Sequence, residues 1–210
     1  MKSNQLTTIN QNAKSALIKS KNLLDVTKKI LENKRNDWVE KIIDWANENK
    51  IPDLKWKEDK FSSEGGYWEG IPRNMEKLLS LTQLRIDINC QDMLNGDDII
   101  YLPDEIGNLV NLTDLSIGYI YDLPENFSNL KSLTKLNLGG NFLVPDYLDT
   151  FTDLKELSLF DVGEIPKNIC NLKKLENLYI AFYSCDYVIP ECLNILKERG
   201  CSIYIDCDIH

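Results

Sequence analysis

The sequence predicts an α/β fold: a curved right-handed solenoid with a parallel concave sheet, preceded by a small N-terminal helical cap. Three observations support this prediction. Prolines recur at intervals of 21 residues, apolar residues recur at fixed distances from each proline, and the segment before them carries apolar residues at helical spacing. Repetition of this kind indicates stacked units, each too small to bury its own apolar side chains.

The repeat is defined by its prolines and by the apolar residues that follow them. Consecutive prolines are 31, 21, 21, 21 and 24 residues apart, at Pro72, Pro103, Pro124, Pro145, Pro166 and Pro190. Apolar residues stand 3, 6, 9, 12 and 14 residues after each of the first five prolines. The sixth unit keeps the first two of these offsets and then drifts, with Ile203 and Ile205 one place late.

These offsets predict one short helical turn and one short strand in each unit. A spacing of three at offsets 3, 6 and 9 is typical of one side of a helical or 3₁₀ turn. A spacing of two at offsets 12 and 14 is typical of a strand with one buried face. Proline is expected at the start of the helical segment, because it has no N–H to donate to a β-sheet and its ring restricts the φ angle to a helical value. The first unit holds an insertion over 90–99, CQDMLNGDDI, which is predicted to be an exposed loop.

The segment 102–117, LPDEIGNLVNLTDLSI, resembles the leucine-rich-repeat family, and it is most similar to the intracellular Ras-suppressor-like and bacterial kinds. The resemblance covers about residues 70–205. It implies a module that binds another protein on its concave sheet. Family members usually carry Asn at offset 17, and the residues there are Asn89, Ile120, Asn141, Val162 and Tyr183. We therefore expect an incomplete asparagine ladder.

Side-chain alternation along each predicted strand places the residues beside offsets 12 and 14 on the concave face. The candidate binding residues on that face are Arg85, Asp87, Asp114, Ser116, Lys135, Asn137, Glu156, Ser158, Phe160, Asn177 and Tyr179. Exposed aromatic side chains beside polar rows are typical anchors for a protein partner. For Phe160 and Phe182 the alternative is that they fold back into the turns that lack Asn. Tyr179 is expected at the surface.

The remaining segments are predicted to cover the ends of the solenoid. Residues 1–60 form an N-terminal helical cap region, with helices over 8–33 and 37–49, and residues 61–210 form the repeat domain with a degenerate C-terminal cap. Residues 51–69 are predicted to be a strand or hairpin that leads into the first repeat. The tryptophans of this N-terminal part are interpreted as a hydrophobic cap over that repeat, or alternatively as a docking groove for a partner helix.

Charge divides the chain into a basic front and an acidic back. Residues 1–60 carry 13 Lys+Arg and 9 Asp+Glu, a net of +4, and residues 61–210 carry 11 and 24, a net of -13. The whole chain therefore has a net charge of -9. This excess of acidic residues argues against nucleic acid as a partner, because binding to phosphates needs clustered Lys and Arg. Residues 1–35 hold eight Lys+Arg against two Asp+Glu. An alternative function follows from this charge. A basic amphipathic N-terminal helix would bind the protein to a membrane surface or dock into a groove of a partner protein.

The sequence contains little that points to catalysis, so we predict that the protein is not an enzyme and uses no cofactor and no metal. The one histidine is His210, which makes His-based triads and metal sites improbable. No glycine-rich phosphate loop is present, since Gly139 and Gly140 belong to a repeat turn. The cysteines at 185, 192, 201 and 207 do not follow a zinc spacing of two close pairs.

The N-terminus has no apolar stretch typical of a secretory signal, and no run approaches the ~18 apolar residues of a membrane span. A cytoplasmic location with reduced, buried thiols is therefore expected. Export by a non-classical route stays open, and in that case a disulfide could join Cys185 or Cys192 to Cys201 or Cys207. Self-association through a weakly covered solenoid end also stays open.

Overall fold

The computed structural model describes residues 21, 24–29, 37–59, 66–86, 101–118, 120–140, 144–162, 165, 167–182 and 189–207. The chain falls into two compact units, 1–40 and 41–210. In the first unit residues 24–29 are helical with exposed side chains, and the rest of the helix predicted over 8–33 lies almost wholly outside the described residues. The domain boundary predicted between residues 60 and 61 stays a prediction.

Helix α1 spans residues 37–48, one residue fewer than predicted. Its C-terminal half belongs to the second unit, where the Trp45 indole N–H donates to the Tyr101 carbonyl at 2.7 Å. Lys41 pairs with Glu105 at 2.7 Å, and this hydrogen bond holds the pKa of Glu105 below its usual range. The Arg73 guanidinium donates to the Ile51 carbonyl at 2.6 Å. These bonds hold the end of α1 and the segment after it against the first repeats.

A hairpin precedes the first repeat, as predicted. Strands β1 (Lys55–Glu58) and β2 (Gly66–Glu69) pair antiparallel, with Trp56 opposite Trp68. The two indoles meet edge to face with 5.5 Å between ring centroids, and each is 44% exposed. For these two tryptophans the interpretation as a hydrophobic cap is wrong, because both side chains stay well exposed. Cross-strand pairing places the two indoles on the same face of the hairpin, where they contact each other.

Six strands form one parallel sheet in sequence order, which confirms the predicted α/β solenoid. The first five strands hold the apolar residues of offsets 12 and 14 on their buried side, as with Leu115 and Ile117, which are at most 1% exposed. Parallel pairing of consecutive units is the arrangement that lets one continuous core run through the stack. The strands are β3 (Gln83–Ile86), β4 (Asp114–Ile117), β5 (Lys135–Gly139), β6 (Glu156–Phe160), β7 (Asn177–Phe182) and β8 (Ser202–Cys207).

The opposite side of the solenoid is built from short helical segments, also as predicted. Helix α2 (Met75–Leu79) opens the series, and helix α3 (Leu193–Glu198) ends it. Between them the described residues form four 3₁₀ segments: Asp104–Asn108, Glu125–Asn129, Asp146–Thr150 and Lys167–Asn171. Pro103, Pro124 and Pro145 each stand directly before a 3₁₀ segment with φ between -72° and -65°. In the part of the chain that is described, no helix is long and apolar enough to cross a membrane.

Neighbouring repeats are joined by a ladder of threonine hydroxyl groups that was not predicted. The Thr113 hydroxyl donates to the Thr82 carbonyl at 3.1 Å, and the Thr134 hydroxyl donates to the Thr113 carbonyl at 3.0 Å. All three threonines stand ten residues after a repeat proline, so the signal was present in the spacing. At offset 17, Ile120 and Val162 are buried at 2% and 4% exposure and fill apolar space where the family has Asn.

The last repeat junction carries a disulfide, and the expectation of reduced thiols throughout is wrong there. Cys170 is joined to Cys192, with 6.0 Å between their Cα atoms. This pairing differs from the predicted alternatives, because Cys170 lies one repeat before the C-terminal cysteine cluster. Cys201 is a buried free thiol, and burial raises its pKa. Cys185 and the side chain of Cys207 lie outside the described residues.

Candidate binding surface on the concave sheet

The exposed side chains of the six strands stand in three register rows across the concave sheet. The first row is Gln83, Asp114, Lys135, Glu156, Asn177 and Ser202. The second row is Arg85, Ser116, Asn137, Ser158, Tyr179 and Tyr204. The third row, from β5 onward, is Gly139, Phe160, Ala181 and Asp206. Because adjacent strands lie about 4.8 Å apart, each six-residue row extends over roughly 24 Å.

The structure therefore brings together ten of the eleven candidate binding residues, and Asp87 lies outside the described residues. Each of the ten sits on a β-strand, so its side-chain direction follows from strand alternation and from burial of the opposite face. Tyr204 and Asp206 were not among the predicted binding residues, because the last unit departs from the offset pattern. The alternation of Ile203 and Ile205 with Tyr204 and Asp206 is the sequence pattern that indicates a strand with Tyr204 and Asp206 on its exposed side.

The N-terminal half of the concave face is polar, and its cations already have partners. The Arg85 guanidinium carbon lies 3.9 Å from the centroid of the Tyr67 ring, which comes from the hairpin. Stacking of this kind is favourable because the ring face is electron-rich. Lys135 pairs with Glu156 at 3.0 Å across neighbouring strands. Both members of this pair are well exposed, so solvent screens it and its contribution to stability is small.

The C-terminal half of the concave face is aromatic. The rings of Phe160 and Tyr179 lie 5.3 Å apart between centroids and are tilted by 43°. Tyr204 stands directly beside Tyr179 in the register of β7 and β8. Phe160 is 40% exposed and Tyr204 is 61% exposed. Phe160 thus points outward, whereas Phe182 is buried, so the fold-back alternative holds for Phe182 alone.

Two adjoining depressions run along the concave face. One, of about 210 Å³, lies beside the hairpin and is lined by Tyr67, Trp68 and Arg85 among others. The other, of about 440 Å³, extends from Arg85 over Gly118 and Gly139 to Phe160, Tyr179 and Asp206. They share Arg85, Ser116 and Asn137, which makes them one trough. Glycines line the middle of this trough, and Phe160 and Tyr179 line its aromatic end.

The groups whose pKa is shifted lie off this surface, in structural surroundings. Burial, followed by the nearby Asp122 and Glu125 carboxylates, raises the pKa of Tyr147 well above its usual range. The Tyr147 hydroxyl donates to the Pro124 carbonyl at 2.9 Å and so links two repeats. Among the described residues, no group of three or more His, Cys, Asp or Glu is arranged to hold a metal ion.

A family model described as a leucine-rich repeat region matches residues 72–198, which is more than half of the chain. The chain belongs to the leucine-rich-repeat family. In this leucine-rich-repeat protein the matched segment begins at the first repeat proline and ends with α3, so it contains five of the six strands of the concave sheet. No curated protein sequence matches the chain.

Solved leucine-rich-repeat structures are similar to this chain over part of their length. A Leptospira interrogans leucine-rich-repeat protein is 25% identical with a TM-score of 0.47, over 64% of this chain and 35% of its own. Internalin C2 of Listeria monocytogenes is 17% identical with a TM-score of 0.44, over 61% and 54%. The ectodomain of the Arabidopsis thaliana receptor kinase SOBIR1 is 14% identical with a TM-score of 0.42, over 73% and 78%. The chain thus spans about a third of the first protein and about half of the second.

Proposed function

We propose that this leucine-rich-repeat protein binds another protein through its concave sheet. The observation that carries the proposal is the trough that ends at Phe160 and Tyr179, with the exposed Tyr204 next to Tyr179 in the sheet register. Large aromatic side chains left partly exposed on a rigid sheet are the usual centres of protein-binding surfaces, since covering them removes apolar area from water. Leucine-rich-repeat proteins generally bind other proteins, which agrees with this surface.

The polar rows support the same function by offering directional contacts around the aromatic side chains. Ser116, Asn137 and Ser158 are half-buried along the second row, and each carries a donor and an acceptor. Polar groups of this kind, placed around apolar anchors, give a partner orientation and specificity. Because the strands hold these side chains in fixed register, a partner meets a surface with little conformational entropy left to lose.

The proposal is tested by capture from native lysate with a concave variant in which Arg85, Glu156, Phe160 and Tyr179 are each changed to Ala. We expect the unaltered protein to retain a partner that this variant loses by at least tenfold. The captured protein is identified by mass spectrometry and bound again in purified form. Circular dichroism and thermal unfolding check that the variant folds.

A matched control variant changes Lys173, Glu125, Tyr101 and Tyr121 to Ala. It removes the same kinds of side chain from outside the concave sheet, and the Tyr101 and Tyr121 rings also form a pair, 5.7 Å between centroids. All four side chains are exposed. This control should keep the partner. Equal loss in both variants, or equal retention, would place binding elsewhere and overturn the proposal.

The alternative function stays a prediction. It is binding to a membrane surface, or docking into a groove of a partner protein, through a basic N-terminal helix over 8–33. Its residues lie almost wholly outside the described part of the chain, and no contact among the described residues favours it. Sedimentation with anionic vesicles tests it directly, because electrostatic binding to such vesicles weakens as salt is added.

A further inference from the structure

We infer that the aromatic end of the trough binds a basic segment of the partner protein, with an arginine side chain held among Phe160, Asp161, Tyr179, Tyr204 and Asp206. These five residues are called the aromatic–acidic patch below. The inference rests on the proposed function and specifies the chemistry of what the concave face binds. It goes beyond that function because a concave protein-binding surface by itself says nothing about the charge of its partner.

The aromatic rings of the patch are placed to accept a cation on their faces. Phe160 and Tyr179 are in contact, and Tyr204 stands next to Tyr179 in register, so three rings come from three successive strands. Guanidinium groups stack on such rings, and the attraction grows when a partner covers the site and excludes water. The Arg85 side chain already lies on Tyr67 in this way at the other end of the trough.

Two carboxylates stand beside the rings. The Tyr179 hydroxyl donates to the Asp206 carboxylate at 3.3 Å, which keeps this carboxylate next to the aromatic side chains. Asp161 directly follows Phe160, and its backbone N–H donates to the Ala181 carbonyl at 2.8 Å. Both residues line the larger depression. A guanidinium on the rings would therefore also meet carboxylate oxygens, and charge-assisted hydrogen bonds are the stronger kind.

The charge of the surrounding surface favours a basic partner. Among the described concave residues of β6 to β8 there is no Lys or Arg. On the described part of the concave face, Arg85 lies on β3 and contacts Tyr67, and Lys135 lies on β5 and pairs with Glu156. The repeat part of the chain, residues 61–210, carries 11 Lys+Arg against 24 Asp+Glu. A field of this sign attracts cationic segments and repels acidic ones.

The trough also limits the shape of the segment. It crosses six strands, roughly 24 Å, and an extended chain advances about 3.3 Å per residue, so about seven residues span it. Gly118 and Gly139 line the trough between Arg85 and Phe160 and carry no side chain, which leaves room for the backbone of the segment. An extended basic segment therefore fits the trough in length.

The experiment is a selection of phage-displayed random dodecapeptides on the intact 210-residue chain, with removal of peptides that also bind the concave variant. We expect the remaining peptides to be enriched in Arg and depleted in Asp and Glu. The best peptide is then synthesised with Arg and with citrulline, which has the same shape without the charge. The citrulline form should bind at least tenfold more weakly in fluorescence anisotropy.

Two matched acid-to-amide variants separate the patch from the general acidity of the protein. Asp161→Asn together with Asp206→Asn should weaken the Arg peptide at least fivefold. Asp161 has φ of 56°, a conformation that Asn adopts readily, so this change keeps the local backbone. Asp104→Asn together with Asp122→Asn removes two exposed carboxylates outside the patch and should change the affinity less than twofold.

The possible failures are distinguishable. Peptides that need the concave face but lack Arg, or that bind equally well with citrulline, would overturn the basic-segment inference and leave the proposed function standing. Equal weakening by both pairs of variants would also overturn it, because general charge attraction would then suffice. If selection returns no peptide that the concave variant loses, the inference fails, and the lysate capture decides whether the proposed function fails with it.

Discussion

Gly140 shows at the scale of one residue how closely consecutive repeats approach. Its φ is +125°, and a Cβ built on it would lie 2.4 Å from the Ile120 carbonyl oxygen. Its backbone N–H donates to the Phe160 carbonyl at 3.1 Å. The residue thus contacts the repeat before it and the repeat after it at the end of β5. Glycine is needed there both for its backbone conformation and for the space that a side chain would occupy.

Gly140→Ala is therefore expected to lower the free energy of unfolding by about 2 to 3 kcal/mol, from backbone strain and a steric clash together. Gly200→Ala is the matched control, because Gly200 also has a positive φ, +92°, but a Cβ there meets nothing within 4 Å. The control should cost only about 1 kcal/mol. Urea denaturation compares the two variants. A loss for Gly140→Ala no greater than for Gly200→Ala would contradict the close approach.

At the scale of elements, a covalent bond joins the 3₁₀ segment Lys167–Asn171 to α3. The Cys170–Cys192 disulfide joins them across a sequence separation of 22 residues. The Arg199 guanidinium at the end of α3 adds a 3.0 Å hydrogen bond to the Cys170 carbonyl. Covalent closure of a loop this long limits the unfolded ensemble and so favours the folded state. The disulfide thereby holds α3 on the repeat before it, at the last repeat junction among the described residues.

Reduction of this disulfide is expected to lower the free energy of unfolding by about 3 kcal/mol, the size typical of a loop of this length. The Cys192→Ser variant should start at the lower value and should not respond to a reducing agent. Thermal unfolding with and without the reductant measures both proteins, and peptide mapping without reduction identifies the bond. If the unaltered protein and the variant are equally stable and equally insensitive, the disulfide does not fasten this end.

At the scale of the whole repeat stack, each strand pairs only with the strands next to it in sequence, from β3 to β8. Stability in such a stack is close to a sum of repeat terms and nearest-neighbour interfaces. The Thr82, Thr113 and Thr134 ladder and the pairing of Phe127 with Phe151, 6.0 Å between centroids, are interfaces of this kind. If one end of the stack is removed, the resulting loss of local stability should therefore be largest in the neighbouring repeat and smaller in more distant repeats.

Deletion of residues 190–210, which removes α3 and β8, is expected to reduce amide exchange protection in β7 at least tenfold. Protection in β4 should change less than threefold, because its neighbours β3 and β5 remain. Hydrogen exchange followed by mass spectrometry reads both strands in one sample. A uniform loss from β4 to β7 would show that the repeats unfold as a single cooperative unit and would contradict the nearest-neighbour account.

Most of the repeat architecture was predictable because its signals are local. The offsets in the first five units predicted strands such as β4 and 3₁₀ segments such as Asp104–Asn108. The same alternation predicted which side of each strand faces outward, and hence most of the candidate binding residues. The hydroxyl ladder was also visible in the spacing, but a threonine at the edge of a strand is ordinary for a strand sequence and gives no warning of its role.

The sequence by itself determined the repeat length, the buried side of each strand and the acidic character of the repeats, because periodic burial and net charge are properties of local sequence. Only the tertiary structure decided that Tyr204 and Asp206 continue the concave rows, that Cys170 reaches Cys192, and that Tyr67 lies on Arg85. Each of these depends on how one unit is placed on the next. Contacts between residues far apart in sequence are set by stacking, which no single repeat encodes.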